Sequence, residues 1–397
     1  CCFISAALIA HLFGEAMTST YVGIPSEDVV SVLPAHRLAR AGLGSVAVRA
    51  SADGCFVGVL IASALLVPMC VLMGPPIHFY SIVKKGMVII AIGCSVLLVL
   101  SEGLSVRSMW WVRGSSLRVI KAAVIFCTSG VLGAIVLQSN YFACALPDLP
   151  WMDPGFVPRS SLLLPLFAGL FGVPSLLLSL GSGPVRDIGS GTWRHLQHAP
   201  KLGDLVLSVI GGTLVGWLPG MTSGSSTTLC SPTTREVGGG GDPVGSVRFI
   251  WLYSAVSSVG AVFSVGALFV IMRARSGSMD AVASFLEITS HERWLSNALP
   301  MTSILLSMLI AALICNHAIG VLDSRLVWLR RIMCSKKLAI ASLAFILSLC
   351  VAITGSRGAL LMASSASLGV IPPIIGIRRI QLMGCLLVPI SILFMGK

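Results

Sequence analysis

Long uninterrupted apolar runs are the strongest constraint on this chain. They lie at 52–73, 86–101, 118–138, 161–180, 248–272, 298–317 and 338–354, with a partial one at 1–13. A helix that crosses a bilayer needs roughly 20 mostly apolar residues. Only 11% of the residues are charged, against about 25% in an ordinary soluble domain. A soluble protein of this length could bury a large core, but this one has too little polar side chain to cover its surface. The expectation is an all-α polytopic membrane protein of about 9–12 transmembrane or re-entrant segments, lodged in the cell membrane.

The net charge of +12 does not point to nucleic acid. The basic residues sit in short clusters between apolar runs, as the bias toward cytoplasmic loops demands, and form no stripe with interleaved aromatics. Segment 318–337 carries Arg325, Arg330, Arg331, Lys336 and Lys337 against Asp323, and reads as cytoplasmic. So do 102–121, 181–202 and the basic stretch 35–49. Segment 139–158 has Asp148 and Asp153 with no Lys or Arg, and reads as external, with Trp151 as an interface anchor. Lys84-Lys85 breaks this alternation. The twelve cysteines are scattered, without a CxxC pair. They read as small hydrophobes rather than as a zinc site or a disulfide framework. No cofactor is signalled. The Gly-rich stretch 232–247 lacks the GK[ST] ending of a phosphate loop and reads as a connector. The chain starts at Cys1 without a signal-peptide pattern, so a missing N-terminus is expected.

Three further apolar stretches are broken in the middle: 16–34 at Gly23-Ile24-Pro25, 205–231 at Pro219-Gly220, and 359–395 at Pro372-Pro373 and Arg378-Arg379. Irregular backbone survives in hydrocarbon only where protein or a watery cavity surrounds it. Paired breaks of this kind mark substrate and ion sites in secondary transporters with inverted repeats. At the first break, Ser26 is a good N-cap and Glu27 and Asp28 fill the first turn. Two readings stand: simple capping favoured by the helix dipole, or a cation or proton site inside the membrane. At the second break, Gly212, Gly216, Gly220 and Gly224 recur every four residues, near one helical face. Six hydroxyl residues follow within eight positions: Thr222, Ser223, Ser225, Ser226, Thr227 and Thr228. They could ligate a carboxylate or Na⁺ at a half-helix N-terminus, or simply bond the backbone of a kinked, packed helix. A weak echo between Arg37–Val48 and Met272–Ala283 suggests two units of opposite orientation, 1–155 and 156–397.

Three blocks carry a resemblance across nearly the whole chain: "AHLFGEAMTSTYVGIPSEDVVSVLPAHRLARAGLGSVAV", "AGLFGVPSLLLS" with the later "GGTLVGWLPGM", and "LGVIPPIIGIRRIQLMGCLLVPISILF". On these residues the chain resembles the large permease subunit of tripartite tricarboxylate transporters, and most of all their shorter, largely archaeal branch. The resemblance implies a many-helix permease moving a small organic carboxylate with a Na⁺ or H⁺ gradient. The long branch works with a small membrane subunit and an extracytoplasmic binding protein; acting alone is the alternative for the short one. The family's earlier Leu-Pro-Gly break, before the position of Ala10, is missing here, and Ala35 stands where the family usually has Gly.

Candidate site residues are therefore Gly23, Pro25, Ser26, Glu27 and Asp28 at one break, and Pro219, Gly220, Thr222, Ser223, Ser225 and Ser226 at the other. His11 could join a proton relay with Glu15 or be a packed histidine. His195 and His198 lack a carboxylate or Cys beside them and read as loop residues. Arg378-Arg379 read as a headgroup anchor or an anion clamp, and Arg357 carries the same ambiguity. Two rival classes remain. An intramembrane enzyme acting on lipid-linked substrates needs an acid–base pair, and only His11 with Glu15, Glu27 and Asp28 comes close. A structural or interaction membrane protein would have no use for the paired breaks.

Overall fold

The computed structural model describes residues 1–22, 34–35, 38–39, 41–75, 77–104, 113–138, 162–180, 200–218, 221–230, 243–286, 298–325 and 335–395. These residues are helical, with no strand among them. In chain order the helices are α1 (Cys2–Met17), α2 (Gly44–Met73), α3 (Phe79–Lys85), α4 (Met87–Leu104) and α5 (Arg113–Gln138). Next come α6 (Leu163–Phe167), α7 (Val173–Leu180), α8 (Leu202–Trp217), α9 (Ser223–Cys230) and α10 (Pro243–Ile271). The last are α11 (Gly277–Phe285), α12 (Ala298–Arg325), α13 (Lys336–Ile375) and α14 (Gly384–Met395). Among the described residues, six helices are long and apolar enough to cross a membrane, and the pair α3–α4, bent by 70°, makes a seventh candidate. Exposed side chains on their outer faces are apolar, including Ile89 on α4, Leu117 and Ile120 on α5, and Leu313 and Ile314 on α12. A bilayer covers such faces at no cost.

The bend explains Lys84-Lys85. The pair occupies the last turn of the short α3, where cations meet the negative end of the helix dipole. Helix α13 needs a similar division. Its 40 residues would extend about 60 Å as one straight helix, twice the hydrocarbon thickness. Gly355, at φ 66° and ψ −165°, breaks it. Only glycine adopts that conformation without strain. The Pro372-Pro373 break lies in the last turns of the second half, which Gly376 ends in the left-handed conformation.

The helices pack around two main cores. One joins α1, α2, α10, α11 and α12; the other joins α4, α5, α6, α13 and α14. Both draw helices from either side of residue 155. Helix α10 is the centre of the first, buried along nearly its whole length. Small residues let neighbouring backbones approach it. Gly54 and Gly58 of α2 lie against Trp251 and Ala255, and Gly74, just past α2, meets Val270. These pairings make α2 and α10 parallel. Gly211, Gly212 and Gly216 of α8 lie against Val256, Val259 and Phe263 in the same sense. The four-residue glycine spacing thus serves close approach at Gly212 and Gly216, as its period suggests. Arg49 of α2 donates to the Gly320 carbonyl of α12 at 3.5 Å. Arg248 of α10 binds Asp204 of α8 at 2.6 Å. The ends of α2, α8, α10 and α12 nearest the basic stretches 35–49, 181–202 and 318–337 therefore share one face of this core, the face the charge bias makes cytoplasmic.

A Cβ at position 216 would lie 2.7 Å from Cβ of Phe263, so Gly216→Leu should destabilise the protein by about 1–3 kcal/mol or more through overpacking. Gly93→Ala in α4 meets no neighbour within 4 Å and should be neutral or stabilising by roughly 0.5–1 kcal/mol. Thermal unfolding in detergent separates the two.

Candidate functional site

The Pro219-Gly220 break reverses the chain. Ser226 of α9 donates to the Gly211 carbonyl of α8 at 2.7 Å, although the two residues are 15 apart in sequence. A helix continued straight through the break would hold them about 22 Å apart. Segment 202–230 is thus a helical hairpin rather than one interrupted span. Pro219 and Gly220 lie outside the described residues. Thr222 and Ser225 cap α9 reciprocally: the Thr222 N–H donates to Ser225 Oγ at 2.9 Å and the Ser225 N–H to Thr222 Oγ1 at 3.3 Å. The hydroxyl run therefore divides. Ser225, Ser226 and Thr227 are buried and bond within or beside the hairpin, while Thr222 and Ser223 line a cavity.

That cavity, about 680 Å³, separates the two cores. Its size falls in the range of small-ligand sites, and such sites form where helix bundles meet. One wall is α1 and α10, with His11, Glu15, Tyr253 and Ser257. The other is α6, the turn that follows it and parts of α13 and α14. The hairpin tip and the linker after α10 close one end through Thr222, Ser223 and Arg275. His11 and Glu15, one turn apart, face the cavity from α1, and Tyr253 Oη donates to Glu15 Oε1 at 3.3 Å.

Two widened π turns occur in the helices that wall it. Helix α1 continues into one at Thr18–Val22, and α6 into another at Ala168–Gly172, which lines the cavity. Such turns recur at functional sites. Each has a Leu-Phe-Gly tripeptide in or just before it, at 12–14 and 170–172, a signal available in the sequence.

Arg275 is a candidate that the sequence did not single out. In sequence it sits among Arg273, Asp280, Glu287, Glu292 and Arg293, which leave this stretch nearly charge-balanced. Its Nη2 donates to the Trp217 carbonyl at 2.6 Å, capping α8, and to Tyr80 Oη at 3.0 Å. Its Nε is buried with no hydrogen-bond partner, an arrangement that costs free energy unless an acceptor arrives. Burial lowers its proton affinity and Tyr80 beside it offsets part of that; a guanidinium stays charged regardless. Two residues hold left-handed backbone near this contact, His78 at φ 52° and Met272 at φ 50°. Neither is glycine, and strain of this kind gathers at functional sites.

The other sequence candidates fall as follows. Gly23, Pro25, Ser26, Glu27, Asp28, His195 and His198 lie outside the described residues. Arg378 and Arg379 are internal and anchor no headgroup. Arg378 binds Glu102 of α4 at 3.0 Å and Ser101 at 3.1 Å, and Gln381 joins from the same turn, donating to the Leu98 carbonyl at 3.0 Å. Arg379, 5% exposed, donates to Ser175 of α7. Arg357 is exposed on α13. Cys70 and Cys350 are buried as small apolar side chains, and Cys127 is exposed. Among the described residues no cluster of His, Cys, Asp and Glu could hold a metal ion.

Apolar outer faces, a hairpin ending inside the protein and a polar-tipped cavity between two helical cores define a multi-pass membrane permease. The family model of the tripartite tricarboxylate transporter TctA family matches residues 1–384. The chain belongs to that family, which is one of tricarboxylate transporter permeases and not of enzymes. Comparison with curated proteins and with solved structures returns no match.

The Glu102–Arg378 pair, with side chains 1% and 12% exposed, ties α4 to the turn before α14. Glu102→Ala leaves a buried guanidinium uncompensated and should cost about 3–5 kcal/mol, whereas the double change Glu102→Leu with Arg378→Met should cost markedly less. Denaturation of the two variants side by side checks this.

Proposed function

We propose that the permease carries a small organic carboxylate, tricarboxylate-like in chemistry, through the cavity between its two cores, driven by a cation gradient. The observation that carries this reading is Arg275. It is a guanidinium at a cavity wall, fixed by two hydrogen bonds and left with a buried, unpartnered Nε. A carboxylate is the natural acceptor for it. Thr222 and Ser223 at the hairpin tip are the hydroxyl donors beside it, which keeps the second sequence-derived break in the site. The first break, with Glu27 and Asp28, remains in this reading as a cap or a cation contact. An inverted repeat of units 1–155 and 156–397 remains part of this reading. A small membrane subunit and an extracytoplasmic binding protein are the partners the family resemblance offers.

The test is uptake into proteoliposomes, with citrate and smaller carboxylates under Na⁺ or H⁺ gradients. Saturable, gradient-dependent uptake of a carboxylate is expected. Arg275→Ala should raise KM by about tenfold or more, the worth of a charge-assisted hydrogen bond, and Arg275→Lys should recover only part of it. An Arg275→Ala protein that is folded and transports with unchanged KM would remove Arg275 from the site. No gradient-dependent uptake of any carboxylate would sink the whole reading.

A further inference from the structure

At one side of the large cavity lies a second, much smaller chamber of about 10 Å³. That volume is about one water-sized sphere, enough for a single small ion and no organic substrate. Seven of its twelve lining residues carry a side-chain oxygen; the others are Leu12, Ala16, Ala35, Cys55 and Ile250. Glu15 contributes a carboxylate; Ser19 and Thr20 contribute hydroxyls from the π turn that ends α1; Ser51 comes from α2; Tyr253, Ser254 and Ser257 come from α10. No second carboxylate lines it among the described residues. Glu15, Tyr253 and Ser257 also line the large cavity, so the two spaces share a wall.

We infer that this chamber is a Na⁺ site, with Glu15 as its charged ligand and the hydroxyls of α1, α2 and α10 as neutral ones. Hard cations take oxygen ligands. A site for Ca²⁺ gathers several carboxylates, and one for Mg²⁺ keeps most of its waters. A chamber of one-ion volume with a single carboxylate suits a monovalent cation. The hydroxyls are not all committed elsewhere. Ser51 and Ser254 share one hydrogen bond at 2.7 Å, and Ser19 reaches the Ala16 carbonyl only at 3.4 Å. The π turn adds a reason for the location, since it departs from the α-helical hydrogen-bond pattern where Ser19 and Thr20 meet the chamber.

The role in transport rests on the carboxylate reading above; the ion site itself does not. The chamber meets α10 at residues 250–257, and Arg275 follows the end of α10 at Ile271. The rise of the helix over the 14 residues from Ser257 to Ile271 is about 21 Å. Cation and anion would therefore occupy opposite ends of one cavity, linked through α1 and α10 rather than by direct contact.

Binding is read by thermal unfolding of the detergent-solubilised permease without substrate, in NaCl, KCl or choline chloride at equal ionic strength. A ligand that binds only the folded state raises Tm with concentration. The expected result is a saturable rise in NaCl alone. It should be lost in Glu15→Gln, and in Ser257→Ala it should require roughly tenfold more Na⁺. If Glu15→Gln does not fold, Ser257→Ala and Ser51→Ala carry the test. Equal Tm in the three salts overturns the site. So does a Na⁺ effect that survives in the variants, or a stabilisation that follows pH and ignores Na⁺, which would make Glu15 a proton carrier. Na⁺ binding without carboxylate uptake would retain this site and refute the transport reading.

Discussion

The close approach of α2 and α8 to α10 is the contact on which the rest depends. Between helices in a membrane there is no hydrophobic force of the kind that drives a soluble core together, because lipid is as apolar as leucine. Packing and backbone proximity must do that work. Gly54, Gly58, Gly212 and Gly216 remove side chains where the helices meet. The three helices can then run parallel with their backbones close. That arrangement puts Glu15 beside Tyr253, Ser51 beside Ser254, and the hairpin tip beside Arg275. Larger side chains at those glycines would shift every one of these pairs.

Away from the cavity two interior charges are paired, while Arg379 is buried against Ser175 with its Nε unpartnered. Glu102 meets Arg378 and Asp204 meets Arg248, as burial in a low-dielectric interior requires. Arg275 is held by its partners yet keeps an unanswered N–H, and seven oxygen-bearing side chains, Glu15 among them, line one small chamber.

Much of the architecture was legible before any coordinates. Most of the apolar runs became helices near their expected limits, because hydrophobic length is set by bilayer thickness and is local in sequence; 161–180 gave only a shorter apolar helix, Leu163–Leu178. The glycine period of α8 was legible for the same local reason. The hairpin was not. Pro219-Gly220 announces a break, but a break permits either a kink or a reversal, and only the bond from Ser226 to Gly211 decides. Arg378 and Arg379 looked like surface anchors because their partners, Glu102 and Ser175, lie more than 200 residues away. Arg275 was hidden among other charges, with nothing nearby in sequence to distinguish it.

By itself, the sequence determined that the chain is a helical membrane protein, where its spans lie and which family it resembles. Those properties follow from side-chain hydrophobicity, helix-breaking residues and local motif, all carried by short stretches. The tertiary structure alone decided which polar residues share a cavity. Glu15 with Ser51 and Ser257, and Arg275 with Tyr80 and Trp217, are brought together by helices that touch only after folding. Their meeting depends on which faces pack, and no short stretch of sequence encodes that.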